Sequence, residues 1–389
     1  MDPVLLVADI VKIAAVYFIL LNAGGLLTWV ERKQSALMQH RIGANRAGFT
    51  LPSRVEGGGA LNLLLPALAP LLNPLLRVLT KLGLLHTLAD GGKMLFKEDF
   101  MPGNANRLLY QLAPVMAVVP VFVISIIIPW GPPIELLGRT IPLQVASLDM
   151  GILFFFAFGG LGVYSAAIGG WASGNKFALL GSIRASAQMI SYEVAYGLAL
   201  IGTLMVYETV QLDAIVAAQG ELLFGFLPAW GIFVQPLGFV IFYTAILAEG
   251  KRVPFDLPEG ESEIVAGYFT EYSGMKFGTF YLAEFTEIFV AAAMVVTLFF
   301  GGWQVPYLTD AGFVLPGIGV AIDMPSWLVT ITRVGAMFAK IAFFCWLNVQ
   351  IRWTLLRFRF DQVIRLGWTL LLPLALANIF ITGVVLLAR

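Results

Sequence analysis

Apolar residues in this chain fall in long runs. They lack the two-residue alternation of a half-buried strand and the narrow stripe of a soluble surface helix. Eight runs come close to or exceed the roughly 20 residues that a helix needs to cross a ~30 Å hydrocarbon layer. They lie near 4–30, 108–129, 148–171, 186–207, 229–248, 277–302, 333–352 and 366–388. In lipid each backbone polar group must be satisfied inside its own segment or in a closed barrel, and barrel-type alternation is missing, so the runs read as helices. The pattern predicts an all-α polytopic membrane protein with about eight transmembrane helices, forming a single membrane domain over 1–389. Asp2 precedes the first run and Glu31-Arg32-Lys33 follow it. A cleaved secretory signal has a basic front, a shorter core and a small-residue cleavage site, so this run is expected to stay as a span.

The connection after the first span is too long for a turn. Residues 60–85 are apolar but contain Pro66, Pro70 and Pro74. Proline at that density predicts interrupted helix hydrogen bonding and a segment lying at the interface. A ninth span there would put the termini on opposite sides. Residues 85–98 follow, with Leu85, Leu88, Ala89, Met94 and Leu95 set against Asp90, Lys93, Lys97 and Glu98. That pattern predicts an amphipathic helix in the membrane plane, the plainer alternative being a surface helix packed on the bundle.

Charge changes the picture by its location, not its sum. Only 12% of residues are charged, about half the fraction of a soluble domain. Lys+Arg and Asp+Glu both number 24, which offers nothing to nucleic acid. The connections 32–107, 172–185, 249–276 and 352–366 hold 19 of the 24 cations. By the positive-inside rule these face the cytoplasm, and both termini face the outer, periplasmic side. The expected outer loops 130–147, 208–228 and 303–332 are nearly bare of cations. One cysteine, Cys345, and two histidines, His40 and His86, exclude a disulfide framework and any Cys₄ or Cys₂His₂ metal or iron–sulfur site.

Eight of the 24 acids crowd into residues 249–287: Glu249, Asp256, Glu259, Glu261, Glu263, Glu271, Glu284 and Glu287. They are threaded among Val, Phe, Leu, Ile and Tyr, unlike the acids of a solvated loop. Glu284 and Glu287, three apart, share a helical face inside the sixth run. Carboxylates at this density cannot all ionise together, which suits a proton path or a switchable charge cluster. The structural alternative is an ion-pair network with Lys251, Arg252 and Lys276. Glu193, Lys12 and Lys340 lie within spans, where an ionisable group is costly unless paired or wetted. Residues 29–48, WVERKQSALMQHRIGANRAG, hold Arg41 and Arg46 around Gly43, a turn suited to present two arginines to a polar group. Residues 351–368 carry Arg352, Arg357, Arg359 and Arg365, with Asp361-Gln362 placed to meet an arginine fork; this reads as a docking surface or a simple positive-inside anchor.

The stretches ERKQSALMQHRIGANRAG, ADGGKMLFKEDFMP, GNKFALLGSIRASAQMISYEVAYGL, AEGKRVPFDLPEGESEIVAGYFTEYSGMKF and RFRFDQVIRLGWTLLLP, in this order, closely resemble the H-type (mitochondrial ND-one-like) membrane subunit of proton-pumping NADH:quinone oxidoreductase, respiratory complex I. The resemblance covers nearly the whole chain except about 51–84, which looks like an insertion that lines or lengthens a quinone portal or meets an accessory subunit. It implies a translocase subunit in the bacterial inner membrane, joined to hydrophilic quinone-site subunits and to other membrane-arm subunits. NADH, FMN and iron–sulfur clusters would be carried only by those partners. Quinone would rise between the first span, the amphipathic helix and the sixth span, bordered by Glu31, Arg41, Arg46, Lys97 and Glu98. Glu193, Glu249, Asp256, Glu259, Glu261, Glu263, Glu271, Glu284 and Glu287 would form the acidic path that couples quinone chemistry to protons. Ala44 stands where the family has proline, which loosens the turn presenting Arg46. The alternatives are a homologous subunit of a membrane-bound hydrogenase or formate-oxidising complex and, from another class, a stand-alone cation/proton antiporter.

Overall fold

The computed structural model describes residues 3–51, 60–136, 138–314 and 321–388, the side chains of 3, 60–67, 136, 261, 262 and 321 apart. The helices are α1 (Pro3–Met38), α2 (Ala60–Leu82), α3 (Leu85–Phe96), α4 (Arg107–Ile124), α5 (Gly151–Gly159), α6 (Leu161–Ala172), α7 (Lys176–Tyr207), α8 (Leu212–Ala218), α9 (Gly231–Val234) and α10 (Pro236–Glu249). They continue with α11 (Glu261–Ile264), α12 (Gly274–Phe299), α13 (Ser326–Thr354), α14 (Phe360–Arg365) and α15 (Leu372–Leu387), the last two joined by a π-helical turn over Leu366–Leu371.

Among the described residues seven helical segments are long and apolar enough to cross a bilayer, or eight if α2 and α3, bent by 87°, are taken as one broken span. The expected span 229–248 differs in form. It is split into α9 and the 14-residue α10 because Pro236 follows Gln235, whose backbone (φ −133°, ψ 59°) leaves the helical region. The prolines of 60–85 also act differently from expectation: α2 runs unbroken through all three. A helix bonds N–H(i) to C=O(i−4), so prolines spaced four apart confine the missing donors and the idle acceptors to one stripe. The rest of the ladder survives. The helical architecture is joined by three small antiparallel sheets, of strands two or three residues long, in the connections 130–147, 208–228 and 303–332. There the chain reverses within a few residues, and paired backbone groups satisfy one another.

Helix α12 is the axis of the packing. Its most apolar window is 83% buried, against 11% for α1, whose flank carries exposed Leu5, Leu6, Ile10, Val11, Phe18 and Leu21. Apolar side chains of α4, α7, α10, α13 and α15 complete the core around it. A carboxylate on α12 therefore lies among protein, not lipid. The three sheets gather toward one end of the bundle, where Tyr307 Oη donates to the Phe226 carbonyl at 2.5 Å. The other end carries the connection from α10 to α12 and the foot of α13.

Candidate functional site

The connection leaving α10 folds back into the protein, and neighbouring side chains satisfy its irregular backbone. Gln188 Nε2 donates to the carbonyls of Ala248 (2.6 Å) and Phe255 (2.8 Å). Tyr110 Oη donates to the Glu271 carbonyl at 2.6 Å, and the Phe358 amide donates to the Pro254 carbonyl at 3.0 Å. These anchors set Arg252 inside the bundle at 6% exposure. Its Nη1 donates to Glu31 Oε2 at 2.8 Å and its Nε to Glu284 Oε1 at 3.1 Å, with the guanidinium 4.0 Å from the Phe285 ring centre. The other oxygen of Glu31 pairs with Arg352. Two acids and two arginines from α1, the connection, α12 and α13 thus compensate one another. Burial makes that compensation obligatory, because a lone ion there would lose its hydration without return.

One turn along α12 a second group forms. Lys251 Nζ lies 3.6 Å from Glu287 Oε2, and Tyr196 Oη donates at 3.5 Å to Glu249 Oε1. Glu193 joins them across the break between α5 and α6. A Cβ on Gly160 would stand 3.1 Å from Glu193 Oε1, and one on Gly159 would stand 3.7 Å from Glu249 Oε1. The glycine pair lets two carboxylates approach the backbone from opposite helices. A cavity of about 80 Å³, lined by Glu249, Lys251, Tyr268, Glu284 and Glu287 among apolar side chains, links the two groups. At roughly 10–15 Å³ of such space per water it has room for several waters beside these polar groups.

Asp256 and Glu259 lie above this cavity in the connection. Burial pushes the Asp256 carboxyl up to about 6, with Arg357 pulling down, Glu284 pushing up and Arg352 pulling down. Burial, then Glu284 and Asp256, hold Glu259 well above the ordinary range. Glu263 is different: a 2.5 Å hydrogen bond from Arg184 at an exposed position lowers it. Glu271 accepts from Asn175 Nδ2 at 2.6 Å, apart from the rest. The side chain of Glu261 lies outside the described residues.

The five residues expected beside a quinone passage divide. Glu31 belongs to the Arg252 network. Arg41, Arg46, Lys97 and Glu98 are exposed and stand outside it. The chain after α1 turns through Gly43 (φ +78°), and Lys33 Nζ donates to the Ile42 carbonyl at 3.2 Å. Where proline was expected, the Ala44 carbonyl rests on Gly83, at a spot a side chain would fill. Contact with α2, not a rigid ring, holds the turn. Lys97 and Glu98 end α3 against the start of α12, where Ser273 Oγ donates to the Glu98 carbonyl at 3.2 Å. Nearby Lys276 pairs with Asp99 at 2.9 Å, and with none of the clustered acids among the described side chains.

The span lysines are both partnered. Lys12 meets Asp9 at 2.8 Å and the Gln144 carbonyl at 3.1 Å. Lys340 donates to the carbonyls of Phe300, Gly302 and Gln304 at 2.6–2.9 Å, over the Trp230 ring, and so closes the end of α12. His86 Nε2 accepts from the Ala47 amide at 3.3 Å, and no group of three potential metal ligands exists among the described residues. Arg359 pairs with Asp361 at 2.9 Å, as the spacing suggested. What sequence reasoning missed is Arg352 as a partner of Glu31, Tyr196 as a donor to Glu249, and the Gly159-Gly160 gap. The glycine pair was the one local signal.

The profile of the family described as NADH dehydrogenase matches residues 11–383. The chain is 42% identical over 391 aligned residues to an H-type NADH-quinone oxidoreductase subunit of Geobacter metallireducens, covering 100% of both chains. It is 43% identical over 376 residues to an H-type NADH-quinone oxidoreductase subunit of Geobacter sulfurreducens, covering 97% of this chain and 95% of that one. Against the H-type subunit of Flavobacterium psychrophilum it is 38% identical over 388 residues, covering 100% and 99%.

Proposed function

The chain belongs to the NADH dehydrogenase family as a multi-pass, H-type membrane subunit of NADH-quinone oxidoreductase, and from that membership we propose that it borders the quinone passage and couples quinone reduction to proton translocation. The observation that carries this reading is the file of ionisable groups from Asp256 and Glu259 through Glu284 to Glu287, Glu249 and Glu193, beside a cavity with room for water. Water and carboxylates in alternation can pass a proton. The arginines Arg252 and Arg352 hold the upper acids in register, so a charge change near quinone is felt along the file.

The chain provides no redox centre in this scheme. Electrons travel on hydrophilic partner subunits, and this chain handles quinone and protons. Its acidic connection faces the cytoplasm of a bacterial inner membrane, toward the quinone-site partners, as the cation distribution supports. Arg41, Arg46, Lys97 and Glu98 lie where quinone would leave the bilayer between α1, α3 and α12, and the segment 51–84 extends the margin of that opening. A deletion of 53–82 that left quinone affinity, inhibitor sensitivity and assembly unchanged would remove the last assignment.

The coupling role is tested by Glu249→Gln and Glu193→Gln in the whole complex. Quinone reductase activity and its proton pumping should both fall, while NADH oxidation by a hydrophilic artificial acceptor stays near the parent level. Full quinone reductase activity with full pumping in both variants would overturn it.

A further inference from the structure

Helix α2 has three unlike faces. Asn73 and Thr80 lie on one: Asn73 Oδ1 accepts from the Leu51 amide at 2.8 Å and Nδ2 donates to the Leu51 carbonyl at 3.2 Å, while Gly48 packs on Thr80. The irregular strand 43–51 therefore lies along this face. By the roughly 100° step of an α-helix, Leu68, Leu71, Leu75, Val78 and Leu82 point about 180° away. All five are exposed, Leu71 at 73%. Arg77 and Lys81 project from the flank between, exposed and with no ion pair among the described residues.

Two orientations are open to such a helix in a membrane protein. Spanning the hydrocarbon would carry the non-helical backbone of 43–51 into lipid, which the cost of unpaired amides forbids. Lying in the surface plane puts that strand toward water and the leucines into acyl chains. The near-right-angle bend to α3 and the bond from Trp29 Nε1 to the Leu82 carbonyl (2.8 Å) fix the end of α2 beside α1, whose flank is exposed and apolar. The apolar stripe is thus continuous with the exposed apolar flank of α1. Arg77 and Lys81 then stand at headgroup height, near the negative end of the α2 dipole.

We propose that α2 is an in-plane anchor whose Leu71, Leu75, Val78 and Leu82 enter the acyl layer and whose Arg77 and Lys81 bind the phosphates of anionic phospholipids. Selectivity for anionic over zwitterionic lipid follows from the two cations. The proposal depends only on the chain being embedded in a bilayer.

The test places a photoreactive phenylalanine analogue at Leu75 of the complete complex in membranes of phosphatidylglycerol and phosphatidylethanolamine. Irradiated peptides spanning the site should carry phospholipid adducts, enriched in phosphatidylglycerol relative to the bulk. In the Arg77→Gln and Lys81→Gln variants that enrichment should fall roughly fivefold for each cation removed. A cross-link to another protein, or only solvent-quenched product, would overturn the acyl contact. Lipid adducts whose headgroup ratio equals the bulk, or is unchanged by both substitutions, would overturn the headgroup site. A probe at Asn73 serves as the opposite-face reference and should give no lipid adduct; lipid adducts there equal to those at Leu75 would overturn the in-plane orientation.

Discussion

Replacing Arg252 by glutamine removes the group that joins Glu31 to Glu284. Glu31 keeps Arg352, but Glu284 loses the guanidinium that stood 3.1 Å away, in a site where its own side chain is 9% exposed. Truncating one partner of a buried ion pair costs about 3–5 kcal/mol, most of it from the charge left behind. A multi-subunit membrane complex has no single unfolding free energy, so the rate of heat inactivation of quinone reductase is the natural readout. At about 1.4 kcal/mol per factor of ten, the full cost appears as inactivation roughly 10²-fold to a few thousand-fold faster. Arg252→Lys should fall between parent and Arg252→Gln, since an ammonium lacks the fork that reaches two carboxylates in different directions. The decisive variant is Arg252→Gln with Glu284→Gln. If the loss comes from an uncompensated carboxylate, neutralising it recovers much of the stability, with a coupling of about 0.5–3 kcal/mol. Inactivation within threefold of the parent for Arg252→Gln, or a double variant as labile as the two single losses combined, would refute this account.

Two further outcomes follow from the same geometry. Asp256 is raised from 3.8 to about 6 in the folded protein, facing Arg357, Arg352, Glu284 and the backbone of Glu259. A raised acid favours the folded state when protonated, so its contribution is full below about pH 4 and is lost as pH rises to about 6; stability and quinone reductase profiles should show an inflection near pH 6 that Asp256→Asn removes, and an unchanged profile would count against it. Gly160→Ala brings a methyl to 3.1 Å from Glu193 Oε1, whereas Gly159→Ala meets nothing nearer than 3.6 Å; the first should lower coupled quinone reduction and the second should not, with artificial-acceptor activity constant in both, and equal effects would show that the glycines do not position Glu193.

Much of the fold was legible in the chain because the bilayer imposes a one-dimensional rule: a span must be apolar for a fixed length. That rule located the long helices, and charge placement marked the connection rich in acids. It failed where local backbone chemistry competed with length. Pro236 split the expected fifth span, and the four-residue spacing of Pro66, Pro70 and Pro74 kept α2 whole. The acids of the site were legible for the same reason as the spans, since a carboxylate among apolar residues is anomalous wherever it sits.

Their partners were not legible. Glu31, Arg252, Glu284 and Arg352 lie on four segments far apart in sequence, and only the packing of α1 and α13 against α12 brings them together. Nothing in the local sequence distinguishes the arginine that bridges two buried acids from one that faces solvent, such as Arg359. The sequence alone determined the membrane class, the long apolar helices and the acidic stretch, because these depend on the composition of each segment and its transfer from water to lipid. Tertiary structure decided which charges compensate which and where water fits between them, because electrostatic energy depends on distances and burial that no segment sets by itself.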